Sequence, residues 1–80
     1  MRPKGGNRMV DYEKVKRFEK LSKTRQEMCI LDRDSVAEMM RKNLASDIVN
    51  GNYGLNNVVR QMIMIEDYED TTSYMRAAMK

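Results

Sequence analysis

The chain has 80 residues, 41% of them apolar and 34% charged, and its net charge is +3. This balance is typical of one small globular domain and is too apolar for an intrinsically disordered chain. A single cysteine excludes an internal disulfide, and the absence of histidine removes the commonest side chain of zinc sites and of general acid–base catalysis. We therefore expect no metal site, no cofactor and no enzymatic activity.

Positive charge is concentrated at one end of the chain. Residues 1–25 hold nine basic and three acidic side chains, a local net charge of +6, whereas residues 26–80 have a net charge of −3. A basic end attracts phosphates, anionic lipid headgroups or acidic proteins. The longest uninterrupted apolar run, Met62 to Ile65, is too short for a membrane span, and no secretory signal is recognisable. We expect a cytoplasmic protein that does not contact membranes.

Residues 1–9 contain the only proline, two adjacent glycines and three basic side chains. They have little to bury, so we expect a flexible basic arm. Residues 10–80 are predicted to form a single helical domain.

The first predicted helix runs from Tyr12 to about Ile30, with Asp11 as its N-cap. Apart from a polar step at Arg25, its apolar side chains recur at spacings of three and four residues, as expected for one buried helical face. The apolar neighbours of Cys29 predict a buried structural thiol. The apolar face of this helix consists of Val15, Phe18, Leu21 and Met28.

The charged segment Asp32–Ser35 is interpreted as a break between helices. Ser35 and Glu38 have the spacing of a capping box, in which two side chains satisfy free backbone donors at a helix start. A second helix is therefore predicted from Val36 to the Asn- and Gly-rich residues 50–54, where the backbone can turn. Its apolar stripe is Val36, Met39, Met40, Leu44 and Ile48.

A third helix is predicted from Leu55, and its C-terminal part has two alternatives. Asp70–Ser73 is a run of good N-cap residues, which favours a break before a fourth helix. A heptad-like seam favours one continuous helix and also suggests a homodimer through it. The seam consists of Val58, Ile65, Thr72 and Met79, with Tyr68 and Met75 between them.

The leading functional hypothesis is a small non-enzymatic regulator or adaptor that binds another protein. The nine methionines supply flexible, polarizable apolar side chains, which suit adaptable binding surfaces. Short helices with one Phe and no Trp make a thin core, so apolar surface should remain for a partner or a second copy of the chain. The predicted partner-binding residues are Met64, Tyr68, Tyr74, Met75 and Met79.

The alternative hypothesis is a nucleic-acid-binding regulator. The basic face of the first helix would neutralise phosphates, and residues 35–66, two helices joined by a glycine-containing turn, loosely resemble a helix-turn-helix. Asn and Arg side chains read base edges, but the acidic residues 66–70 would repel DNA. The candidate nucleic-acid-binding residues are Lys16, Arg17, Lys20, Lys23, Arg25, Asn56, Asn57 and Arg60.

The sequence as a whole predicts an all-α fold, a small bundle of three or four helices behind a flexible basic N-terminal arm.

Overall fold

The computed structural model describes residues 10–51 and 54–79. Within these ranges the protein has no strand and consists of three helices, α1 (Tyr12–Glu19), α2 (Lys23–Val49) and α3 (Leu55–Ala77). The predicted all-α class is confirmed. The arm predicted for residues 1–9 lies outside the described residues. No helix in the described part of the chain combines the length and the apolarity that a membrane span requires.

The helix predicted from Tyr12 to Ile30 is two helices. Its start is correct, because the Asp11 side chain accepts a hydrogen bond from the backbone N–H of Lys14 at 3.2 Å. However, α1 ends at Glu19 and α2 begins only four residues later, at Lys23. The predicted boundary near Ile30 is therefore wrong.

Two polar side chains hold the turn between α1 and α2. Ser22 is the N-cap of α2, and its hydroxyl accepts a hydrogen bond from the backbone N–H of Arg25 at 3.3 Å. Gln26 is fully buried and donates from Nε2 to the carbonyl oxygen of Phe18 at 3.1 Å. The same carbonyl oxygen also accepts a hydrogen bond from the backbone N–H of Leu21 at 3.0 Å, so Gln26 adds a second bond at the C-terminus of α1. The turn therefore forms without glycine or proline.

The break predicted at Asp32–Ser35 is also wrong, because these residues lie inside the continuous helix α2, where Ser35 cannot act as an N-cap. Contacts with α3 explain why the helix continues here. Arg33 is buried, donates from Nε to the hydroxyl oxygen of Thr72 at 2.8 Å, and lies over the Tyr68 ring, 4.0 Å from its centroid. Partners on α3 thus satisfy a polar segment that looks like a loop in the sequence.

The third helix is continuous, so the uninterrupted alternative for residues 70–73 is confirmed. Thr71 and Thr72 are buried, and each hydroxyl donates at 3.0 Å to the carbonyl oxygen four residues earlier. The heptad-like seam is used inside the monomer, where Ile65 and Met75 are buried as well. At the other end, α2 stops at Asn50 as predicted, and Gly51 has a positive φ of 72°.

The helices α2 and α3 form an antiparallel hairpin. Asp34 of α2 pairs with Arg76 of α3, and Arg41, further along α2, pairs with Glu69, which comes earlier in α3. The two helices therefore run in opposite directions. We call the end at residues 50–54 the tip of the hairpin and the opposite end its base. This side-by-side packing differs from a helix-turn-helix, whose helices cross at roughly 90–120°.

The short helix α1 packs at the base, against the C-terminal half of α3. The backbone N–H of Asp11 donates to the hydroxyl oxygen of Thr71 at 3.0 Å. The rings of Tyr12 and Tyr74 meet edge to face with centroids 5.5 Å apart. The hairpin and α1 make a flat molecule, with Cα extents of 43 × 28 × 14 Å.

The hydrophobic core also lies at the base, where α1, α2 and α3 meet. It is formed by Val15, Phe18, Ile30 and Met75. The predicted burial of Val15 and Phe18 is confirmed, but Met28 is 65% exposed. Cys29 is half-buried at the edge of the core, less enclosed than predicted.

Candidate functional site

In the tip half of the hairpin, no described side chain is buried. From Glu38 to Met64, every described residue is half-buried or exposed, and all buried residues of the described ranges lie outside this stretch. Large apolar side chains are nevertheless frequent here, with exposed fractions from 43% to 84%. We call them together the tip surface: Met39, Ile48, Val49, Leu55, Val59, Met62, Ile63 and Met64.

Part of the tip surface forms a regular stripe on α3. Leu55, Val59 and Met62 recur at spacings of four and three residues, and the same spacing leads on to Glu66 and Glu69. These residues therefore share one side of α3. The stripe is apolar near the tip and charged towards the base.

A matching stripe runs along α2 through Asp34, Glu38, Arg41, Ala45 and Ile48. The ion pairs Asp34–Arg76 and Arg41–Glu69 connect the two stripes, so both stripes lie on one face of the hairpin. A groove of about 410 Å³ lies between them at the base and is lined by Ala37 and Ser73 as well as by these charged residues. We call this surface the stripe face.

The Arg41–Glu69 pair is bidentate. The Nε of Arg41 lies 2.8 Å from Oε2 of Glu69, and the Nη2 of Arg41 lies 2.5 Å from Oε1 of Glu69. These bonds favour the charged form of both groups, so the pKa of Glu69 is lowered and the pKa of Arg41 is raised. The pair joins the two helices where the apolar part of the stripe face begins.

The tip half carries little net charge. Residues 38–64 contain three basic and two acidic side chains, a net charge of +1. A weakly charged, apolar surface gives phosphates little electrostatic attraction, whereas it suits contact with another apolar protein surface.

The predicted basic residues form a separate surface at the base. Lys16, Arg17, Lys20, Lys23 and Arg25 are all exposed, and we call them the basic cluster. In the described part of the chain, the ion pairs join Arg41 to Glu69, Arg76 to Asp34, and Lys42 to Glu38, so none of them neutralises the basic cluster. The cluster therefore presents five charges to solvent.

The other three candidate nucleic-acid-binding residues lie at the tip. Asn56, Asn57 and Arg60 are exposed in the first two turns of α3. Thr71, which accepts a hydrogen bond from the backbone of the α1 N-cap Asp11, is roughly 20 Å further along the helix at about 1.5 Å per residue. The structure therefore does not bring the two predicted groups onto one surface.

The five predicted partner-binding residues are also distributed over different environments. Met75 is in the core, Met79 packs against the core, and Tyr68 is half-buried beneath Arg33. Tyr74 is 44% exposed and contacts Tyr12, and a hydrogen bond between the two side chains raises the pKa of Tyr12. Only Met64 belongs to the tip surface.

Met39 and Ile48 belong to the apolar stripe predicted for the second helix, and the structure exposes both of them, as it does Leu55, Val59 and Met62. A signal was present in the sequence: α2 carries large apolar side chains on all sides, including Met28 and Leu31 opposite its packed face. Such a helix has more apolar surface than one neighbouring helix can cover.

Among the described residues, no group of three or more cysteine and carboxylate side chains is placed to hold a metal ion. Comparison with known proteins finds no matching family model, no similar curated protein and no similar solved structure.

Proposed function

We propose that this protein is a small non-enzymatic regulator or adaptor of the cytoplasm that acts by binding another protein chain through its tip surface. The observation that supports the proposal is the tip half of the hairpin, in which no described residue is buried although eight large apolar side chains are exposed. Four of them, Leu55, Val59, Met62 and Ile48, share the stripe face, and an exposed apolar patch of this kind marks protein-binding sites.

The energetics of the tip half support the same proposal. Helical segments shorter than about 12–15 residues are marginally stable in water unless they pack against another surface. Full burial of an exposed aliphatic side chain contributes about 1.5–3 kcal/mol, so several half-exposed ones offer a partner substantial binding free energy. A partner would thus bind the tip and stabilise it at the same time.

A second candidate function is nonspecific binding of nucleic acid through the basic cluster. The specific observation in its favour is that Lys16, Arg17, Lys20, Lys23 and Arg25 are exposed and are not neutralised by carboxylates in the described part of the chain. Such binding to random duplex DNA would weaken as salt is added. The slope of log affinity against log salt concentration would be about −0.9 for each phosphate contacted. The position of Asn56, Asn57 and Arg60 at the other end gives no support for sequence-specific reading.

The test compares two triple variants of the full chain as baits in an extract of its native host. The first, L55K/V59K/M62K, places charge on the tip surface, and the second, K16E/K20E/K23E, reverses charge in the basic cluster. All three residues changed in each variant are exposed, so circular dichroism should show the wild-type helix content in both. The captured molecules are identified with and without nuclease treatment.

The proposed function predicts that a defined protein is captured by the wild type and by K16E/K20E/K23E, survives nuclease treatment, and is lost with L55K/V59K/M62K. Capture of nucleic acid that depends on the basic cluster alone would establish the second candidate instead. Equal capture by all three baits would contradict both.

A further inference from the structure

We propose that a second copy of this chain covers the apolar part of the stripe face, in a two-fold dimer that joins the hairpins tip to tip. This inference rests on the proposed function, because it names the occupant of the same protein-binding surface.

The spacing of the apolar side chains fits a helix-to-helix seam. Leu55, Val59 and Met62 alternate at four and three residues, and Ile48 lies on the same face of α2. Their exposed fractions are 79%, 49%, 48% and 48%. Alternation of this kind is typical of helices that bury a stripe against other helices, and two hairpins joined through it make a four-helix arrangement.

The stripe face is open at the tip. The hydrogen bond of Asp11 and the ring contact of Tyr12 join the start of α1 to Thr71 and Tyr74, in the C-terminal half of α3. The described part of the chain therefore leaves Leu55, Val59 and Met62 accessible to another molecule.

The distribution of charge favours a second copy joined at this end. The tip half, residues 38–64, has a net charge of +1, whereas the shorter segment 11–25 at the base has a net charge of +3. Two copies joined at their bases would bring two basic clusters together. With the two-fold axis near Val59, the bases point in opposite directions and are roughly 50 Å apart at about 1.5 Å per helical residue, which is several Debye lengths at physiological salt.

The stripe face also selects the register of the dimer. A two-fold axis places the same patch against itself, so apolar tip meets apolar tip. A longer overlap would cover the ion pairs Arg41–Glu69 and Asp34–Arg76 with apolar side chains and remove them from water, which is costly. The favourable overlap is therefore short and ends before these pairs.

The first measurement is sedimentation equilibrium of the full chain from about 1 to about 200 µM, a range in which mass action reveals a weak dimer. We expect a concentration-dependent rise from 9.4 kDa towards twice that mass. Val59→Glu should weaken dimerisation at least about tenfold, because it places a charge in the apolar seam. The matched control is Leu31→Glu, at a residue 70% exposed in the base half, and it should leave the dimer unchanged.

The second measurement is disulfide cross-linking in a C29S background, with V59C, M62C and L31C introduced one at a time. Two cysteines near a two-fold axis can reach the Cα separation of about 4.4–6.8 Å that a disulfide needs. We expect V59C or M62C to form a cross-linked dimer under mild oxidation, and L31C to stay monomeric. This readout does not depend on the charged variants.

A chain that is monomeric at about 200 µM, or a dimer that persists with V59E and cross-links through L31C, would overturn the inference. If the chain is monomeric but a different protein is still lost with L55K/V59K/M62K, the inference fails and the proposed function stands. If neither dimerisation nor capture responds to changes at the tip, both fail.

Discussion

Ser22 and Ser35 occupy opposite helical environments, although of the two only Ser35 was predicted to be an N-cap. Ser22 precedes the first turn of α2 and accepts a hydrogen bond from the N–H of Arg25. Ser35 is exposed in the middle of the same helix. A serine stabilises a helix start but is less favourable than alanine in a helix interior.

Replacing each serine with alanine should therefore change stability in opposite directions. Ser22→Ala should lower the free energy of unfolding by about 0.5–2 kcal/mol, because it leaves a backbone N–H without its cap. Ser35→Ala should be neutral or stabilising by up to about 0.5 kcal/mol, because alanine is the better helix former. Urea denaturation followed by circular dichroism measures both, and a larger loss for S35A would contradict the continuous α2.

At the level of the helices, Arg33 is the principal polar contact between α2 and α3. It is buried, donates to Thr72 and to the carbonyl oxygen of Tyr68, and stacks on the Tyr68 ring. Arg41 makes an exposed contact between the same two helices. The two arginines allow a matched comparison of a buried and an exposed interaction.

We expect Arg33→Ala to lower the free energy of unfolding by about 2–4 kcal/mol, because hydrogen bonds to a charged donor, a desolvated cation–π contact and side-chain packing are lost together. Arg41→Ala should have a much smaller effect, because exposed ion pairs are screened by water. Thermal and urea unfolding of both variants provide the measurement. Equal losses would show that Arg33 does not bridge the helices as described.

The Arg41–Glu69 contact predicts a direction of pH dependence. Because the pKa of Glu69 is lowered in the folded state, its contribution to stability is fully present above its ordinary value of 4.5 and is lost as the pH falls through the lowered value. The stability difference between the wild type and Glu69→Gln should therefore shrink on acidification below pH 4.5. Urea unfolding at a series of pH values from 7 to 3 measures it, and a difference that grows on acidification would contradict the assignment.

At the scale of the whole molecule, stability should be unevenly distributed. The core and the buried polar contacts lie at the base, and no described residue from Glu38 to Met64 is buried. Segments with few buried contacts open locally at a lower free energy than the core. The hairpin should therefore open from its tip.

Hydrogen exchange should detect this difference. In dilute protein, amides of residues 40–48 and 58–63 should exchange faster than those of residues 30–37 and 68–75, because their helices pack less tightly. At high concentration the tip amides alone should gain protection if a second copy covers them. Uniform protection along both helices at every concentration would contradict the uneven stability.

The sequence by itself determined the features that depend on neighbouring residues. The helical class follows from apolar periodicity, the N-cap at Asp11 from its side chain, and the end of α2 from residues that tolerate a positive φ, as Gly51 does. The separation of a basic segment from a weakly charged one is likewise a property of the chain order.

Only the tertiary structure decided where polar segments are helical and which apolar side chains are buried. Arg33 sits inside a helix because Thr72 of α3 accepts its hydrogen bond. The two residues are 39 positions apart, so no local sequence pattern encodes this contact. Buried Gln26 holds the turn at Ser22, although glutamine is usually exposed and its burial is not visible in the sequence. Apolar periodicity predicts that Leu55 and Val59 lie on one side of a helix, but it does not predict what covers that side. In a hairpin this thin, no other part of the described chain covers it.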